Sequence, residues 1–183
     1  YYWNKLLPDE ACDTIIREGL LLNNFKAAGV NSNNLPNPDL RQGSIGWFSK
    51  DSQVDALLKS YVGTANETAG WNYIINSSEA VQFSIYGLQS KYGWHRDTSI
   101  DSPEESPVRK LSVSVQLSHP DEYVGGDFEI KNFYGNELTD NKEVLRNRGT
   151  MIVFPSFLLH QVTPVTKGTR YSLVQWYSGP DWI

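Results

Sequence analysis

Hydrophobic and polar positions along this chain fall into two textures. Up to about residue 70 the apolar residues recur at helical spacing. Pro8 with Asp9 and Glu10 suits the first turn of a helix, and Ala11, Ile15, Ile16, Leu20 and Leu22 form a rough apolar stripe behind it. Ser52 is placed to cap a second helix with Val54, Leu57, Leu58, Tyr61 and Val62 on one face. Between these, residues 23–40 (NNFKAAGVNSNNLPNPDL) are rich in Asn, Gly and Pro and read as a long loop, with a short strand following at 45–48. Beyond Trp71 the pattern changes to short β-rich runs at 81–87, 91–97, 109–118, 126–131, 150–154, 158–163 and 169–177. Helices followed by many short strands predict a mainly β fold with flanking α, a sandwich or jelly roll backed by N-terminal helices.

The run RKLSVSVQLS alternates strictly. Leu111, Val113, Val115 and Leu117 share one face, and Ser112, Ser114 and Gln116 share the other. A polar face of this kind turns either to water or to an internal cavity, and the alternation alone does not choose.

Composition narrows the function classes. The chain has 183 residues, which suits a single domain over 1–183, with a helical part over about 1–70 and a β core over about 71–180. A net charge of -5 argues against a nucleic-acid partner, whose ligands usually carry a basic face. No apolar run approaches the ~18 residues of a membrane span, and no signal-peptide pattern is present. The chain starts at Tyr1, which leaves room for residues upstream. The single cysteine, Cys12, permits no internal disulfide and fits a reducing, cytoplasmic setting. Asn66-Glu67-Thr68 and Asn76-Ser77-Ser78 match the glycosylation pattern, which short sequences often match by chance.

The chemistry starts at YGWHRDTS. On a strand, side chains two apart point the same way, so His95 and Asp97 would face a common point with Arg96 turned away. Of the other two histidines, His119 sits in the turn-like SHPDEY and reads as a loop residue. His160 ends the apolar MIVFPSFLLH, where a polar side chain needs a reason. Two histidines and a carboxylate can cap one face of an octahedral iron(II) and leave three positions open; they could equally hold zinc with a bound water. Arg170 bears on that choice. It follows His160 by ten residues, across QVTPVTKGT, which reads as a turn between paired strands. A planar guanidinium grips a carboxylate through two hydrogen bonds, as the far end of a 2-oxo diacid would require. Ser172 and Trp176 share its face by strand parity.

These residues together resemble the iron(II)- and 2-oxoglutarate-dependent dioxygenases of the prolyl-4-hydroxylase-like branch. The similarity is greatest to the bacterial and phage proteins called PKHD-type hydroxylases. VQFSIYGLQSKYGWHRDTS, RKLSVSVQLSHPDEYVGGDFEI and GTMIVFPSFLLHQVTPVTKGTRYSLVQWYSGP carry it, over roughly 81–180, with RQGSIGWF and LLPDEACDTII as weaker echoes. The resemblance implies a double-stranded β-helix, with His95, Asp97 and His160 on Fe(II) and Arg170 on the distal carboxylate of 2-oxoglutarate. Tyr86, Phe128, Ser172 and Trp176 would line the cosubstrate site. Gln116 stands where animal oxygen-sensing relatives place a tyrosine, and its amide is shorter. The implied cofactors are Fe(II), 2-oxoglutarate and O2, with ascorbate as an accessory reductant. The implied reaction couples decarboxylation of 2-oxoglutarate to hydroxylation, most simply of a prolyl residue in a peptide or protein.

Other readings predict different behaviour. A hydroxylase of a free amino acid or small metabolite would share the chemistry, a non-catalytic metal-binding jelly roll would have none, and a zinc hydrolase would work without oxygen. The acidic loop TSIDSPEESP, with Asp101, Glu104 and Glu105, would rim the pocket and favour a basic substrate, or simply be a solvated loop. The loop 23–40 would fold over a substrate or be merely long.

Overall fold

The computed structural model describes residues 1–28, 37, 39–98, 107–132, 134–138 and 142–181. Half of the expected loop 23–40, and Asp101, Glu104 and Glu105 of the acidic loop, lie outside these residues. In chain order, β1 (Tyr2–Trp3) precedes α1 (Asp9–Leu20), and β2 (Lys26–Ala27), β3 (Arg41–Gln42) and β4 (Ser44–Trp47) precede α2 (Gln53–Thr68). There follow β5 (Ser77–Ser78), β6 (Gln82–Tyr86), β7 (Lys91–His95), β8 (Val108–Gln116), β9 (Tyr123–Gly125) and β10 (Phe128–Ile130). A short helix α3 (Lys142–Arg146) leads to β11 (Met151–Pro155), β12 (His160–Val162), β13 (Val165–Gly168) and β14 (Arg170–Gly179). The helical N-terminal part therefore also contributes strands, and β2 forms inside the stretch expected to be loop.

Two antiparallel sheets face each other. The major one runs β1-β11-β8-β14-β6-β4-β2, with β5 also on β14; the minor one runs β10-β12-β7-β3. This is the jelly-roll layout. Helices α1 and α2 cover the outer face of the major sheet. Leu111, Val113 and Val115 of β8 and Leu173 of β14 are fully buried in one cluster with Leu58, Val62 and Ala65 of α2 and with Phe83. The other face of β8 is buried as well: Ser112, Ser114 and Gln116 are all closed off from solvent. The polar half of that alternation thus lines the interior between the sheets.

Helix α2 begins where expected, the Ser52 hydroxyl accepting the Asp55 N–H. Helix α1 packs much of its expected stripe on the core, Ile15 buried and Ala11 and Ile16 against it, but Leu20 is half exposed and Cys12 and Gly19 are buried in addition. A Cβ at Gly19 would sit 2.7 Å from the Phe83 ring. The helix approaches the sheet through its smallest residue, and counting hydrophobes misses such a contact.

One polar pin crosses the helix layer. Asp55, fully buried, accepts from Gln175 Nε2 of β14 at 2.5 Å, from Lys59 Nζ at 2.6 Å and from the Asp51 N–H at 3.0 Å. Burial disfavours its charge, but the hydrogen bonds from Lys59 and Gln175 outweigh this and hold the carboxyl below its usual range. A group with a depressed folded-state pKa contributes stability that is present above its unfolded value and lost as pH falls through the folded one. Wild-type protein is therefore expected to lose stability to Asp55→Asn at pH 7, by about 1–3 kcal/mol. The gap should narrow as pH drops below about 4. Urea midpoints from pH 7 to 3 would show it; parallel curves would remove Asp55 from the acid response.

Candidate active site

His95, the last residue of β7, and His160, the first of β12, are direct cross-strand partners in the minor sheet. Each ring is oriented through its Nδ1, which lies 2.8 Å from the Gly93 carbonyl in His95 and 2.9 Å from the Leu158 carbonyl in His160. A carbonyl only accepts, so both Nδ1 atoms carry a proton and both Nε2 atoms turn inward, each a metal donor in the neutral ring. There they meet Asp97, Nε2 of His95 lying 3.5 Å from Oδ1 and Nε2 of His160 lying 3.4 Å from Oδ2. One ligand atom from each residue lies within 4.8 Å of the other two. Two donors on adjacent octahedral positions, at metal–nitrogen distances of about 2.1 Å, sit about 3 Å apart, so the set fits one face of a metal ion.

Asp97 reaches this point in a way its spacing does not predict. The strand ends at His95, so the carboxylate is not delivered by strand parity. Its N–H donates instead to the Ser156 carbonyl at 2.9 Å, and Ser112 Oγ donates to Oδ2 at 2.7 Å. Burial opposes the Asp97 charge, but the two imidazoles and their hydrogen bonds win and keep its carboxyl well below the usual range. Burial lowers the His95 pKa. At the fully enclosed His160 the field of Asp97 overcomes burial and raises it.

A register shift between His160 and Val162 brings Tyr92, three residues before His95, onto the same face. The Tyr92 ring stacks on His95 at 3.4 Å, and the Arg41 guanidinium lies 4.4 Å above Tyr92. Burial pushes the Tyr92 hydroxyl up to about 12, so it remains a donor. Phe154 packs edge-on to His160 and Phe128 lies beyond it, giving the site an apolar wall. On the opposite rim Arg109 lies over the Trp176 ring and makes two hydrogen bonds to Glu79.

Arg170 starts β14 in the major sheet, paired with Tyr86, and is only 2% exposed. Its Nη1 donates to Ser172 Oγ at 3.3 Å, and its guanidinium sits 5.4 Å from the Tyr86 ring. Among the described residues it has no acidic partner. It lines a narrow cavity with Ser114, Gln116, Phe128, Leu145, Thr150 and Ile152. Gly126 makes room for it: its φ is positive, and a Cβ there would meet Arg170 Cδ at 3.1 Å. A buried cation in such a cavity is an anion site in search of its anion. The segment before Arg170 is no hairpin turn. It crosses from the minor to the major sheet through β13, which pairs with β9.

The other expected residues are accounted for in place. Gln116 donates to the Ser118 carbonyl and to the Tyr123 hydroxyl, each at 3.0 Å. The Ser118 carbonyl fixes its amide, leaving Oε1 without a partner; its donor side is not offered to an anion beside Arg170. His119 is exposed at the start of a short turn, away from the His95 group. Ser112 was visible as a polar strand position, whereas Ser156, Arg41 and the Arg109–Glu79 pair gave no sequence signal. A wider groove, about 670 Å³, lies elsewhere, between α2 and the 73–78 segment beside Tyr177. Among the described residues it gathers no group of metal-ligating side chains, so volume alone does not mark the site.

Known proteins resemble the chain in the same region. The model of the 2OG-Fe(II) oxygenase superfamily matches residues 81–178. A PKHD-type hydroxylase of Shewanella sp. strain ANA-3 is 38% identical over 95 residues, 51% of this chain and 40% of the relative, so the match spans about two fifths of that protein. The fold resembles a Trichoplax adhaerens prolyl hydroxylase solved with a hypoxia inducible factor peptide, at TM-score 0.76 and 17% identity over 97% of this chain and 82% of that one. It also resembles the viral collagen prolyl hydroxylase of Paramecium Bursaria Chlorella virus-1 in its 2OG complex, at TM-score 0.72 and 21% identity over 98% and 95%.

Proposed function

This chain belongs to the 2OG-Fe(II) oxygenase superfamily, and from that membership we propose that it is a 2-oxoglutarate-dependent hydroxylase acting on a prolyl residue of a peptide or protein. The observation that carries the reading is the buried Arg170, without an acidic partner among the described residues, in the same interior as His95, Asp97 and His160. His95, Asp97 and His160 would hold the iron through two neutral imidazoles and one carboxylate. Arg170, steadied by Ser172, would grip the far carboxylate of 2-oxoglutarate through its planar fork. When bound, the iron and the 2-oxo acid supply the oxidising power from O2, and the acid leaves as succinate and carbon dioxide. Tyr92, Phe128 and Phe154 keep water from the imidazoles, and Trp176 with Arg109 forms the rim on which a substrate rests. The prolyl target is supported by the prolyl hydroxylases that share the fold. A cytoplasmic setting is supported by the lone cysteine; among the described residues no helix is long and apolar enough to cross a membrane.

The test is oxygen dependence. Iron-reconstituted protein is expected to convert 2-oxoglutarate slowly to succinate in air and not under argon, and to speed up with a proline-containing peptide. Stimulation by free amino acids but not by peptides would move the substrate to a small metabolite. Ester or amide hydrolysis at equal rates with and without oxygen would sink the oxygenase reading.

A further inference from the structure

Asp97 stands beyond the end of β7, where no ladder bond holds it, and two serines take over that task. Ser112 and Ser156 are both fully buried. Ser112 Oγ lies 2.7 Å from Asp97 Oδ2 and 2.9 Å from Ser156 Oγ. An ionised carboxylate only accepts, so the single Ser112 proton is committed to Asp97. The bond between the serines then has one direction, with Ser156 donating to Ser112. The Ser156 main chain acts on the same segment, its carbonyl accepting the N–H groups of Asp97 at 2.9 Å and Thr98 at 3.3 Å, and its own N–H donating to Lys110 at 3.0 Å. Ser112 sits mid-strand in β8, paired with Phe154 on one side and Trp176 on the other, so its position is rigid.

We infer that Ser112, backed by Ser156, is the positioning residue of the metal site: it caps Oδ2 of Asp97 and leaves Oδ1 as the uncommitted oxygen for the metal. A free carboxylate at this place could turn about its own axis and offer both oxygens. The second would take up a position that a two-oxygen ligand such as a 2-oxo acid needs. The donor chain Ser156 to Ser112 to Asp97 prevents that rotation and stiffens as each hydrogen bond polarises the next. The inference rests on reading His95, Asp97 and His160 as metal ligands, and its test separates the two ideas.

Metal-free protein would be titrated with Mn(II) by calorimetry, with circular dichroism reporting the fold of each variant. Ser112→Ala is expected to weaken Mn(II) binding by about 10–100-fold, the usual cost of losing a partner behind a metal ligand. Ser156→Ala should cost less, and the double variant should bind no more weakly than Ser112→Ala alone, because Ser156 acts through Ser112. The visible bands of the Co(II) form should change in Ser112→Ala, since the carboxylate is free to turn. Additive losses, unchanged bands, or wild-type Mn(II) affinity in Ser112→Ala would each overturn the inference. Should Ser112→Ala not fold, Ser156→Ala decides alone: weakened binding supports the relay and unchanged binding refutes it. Asp97→Ala is the reference. If it loses Mn(II) while Ser112→Ala does not, only the serine relay falls; if it binds like wild type, the ligand reading itself falls.

Discussion

His160→Ala is expected to lose metal binding and turnover together, each by more than about a hundredfold, the upper end of what losing a mere supporting partner costs. His160 is enclosed, its tautomer is set by the Leu158 carbonyl, and its Nε2 faces Asp97. Removing it leaves one imidazole and one carboxylate, which hold a divalent ion poorly. His95→Ala should behave alike, although its ring also supports Tyr92. His119→Ala is the control, because that ring is exposed and apart from the group. Mn(II) calorimetry and succinate formation on the same preparations check this. A His160→Ala protein that keeps iron and turns over near the wild-type rate would strike His160 from the ligands. A folded His119→Ala that failed would reopen the choice of histidines.

Arg170→Leu should separate the cosubstrate from the metal. The leucine keeps the apolar stem against Gly126 and Tyr86 and removes only the charged fork. Truncating one member of a buried, hydrogen-bonded charge pair costs about 2–5 kcal/mol, which is about thirtyfold to a few thousandfold in affinity. The dissociation constant for 2-oxoglutarate should rise by that factor while Mn(II) affinity stays put. Arg170→Lys should recover part of the loss, since the charge remains but the fork is gone. A second sign is independent of activity: a buried cation with no acidic partner among the described residues burdens the empty fold, so Arg170→Leu should melt no lower than wild type without ligand, and higher if the leucine packs well. Titration of iron-loaded protein with 2-oxoglutarate under argon, read by its absorption band, gives the first quantity, and a thermal scan gives the second. An unchanged binding curve would take Arg170 out of the cosubstrate site, and with it the main argument against a plain zinc centre.

The sequence carried the strand-rich architecture because β8 alternates cleanly among short β-rich runs, and α2 because Ser52 and its apolar face agree. It carried the meeting of His95, Asp97 and His160 because histidine is scarce here, one stands two residues from an aspartate and another sits in an apolar run. It did not carry how they meet. Tyr92 joins the site through a register shift that depends on β12, a strand far away in sequence. Asp97 is aimed by Ser112 and Ser156 rather than by its own strand. The turn expected before Arg170 is a crossing between sheets, because β13 finds its partner in β9, some forty residues earlier. In each case the deciding contact is non-local, and local spacing holds no trace of it.

Strand β14 puts neighbouring residues to opposite uses. Tyr171, Leu173, Gln175 and Tyr177 face the helices, while Arg170, Ser172 and Trp176 face the cavity. For descent with modification this is both a freedom and a bar. Single exchanges on the inner face can reshape what the cavity accepts while the helix-bound face goes on holding the molecule together, so new ligands can be explored one residue at a time. A lost or gained residue would swap the two faces at a stroke, sending Arg170 toward the helices and Leu173 into the cavity. Lineages of such chains should therefore vary in length at their loops and hold this strand to a fixed count.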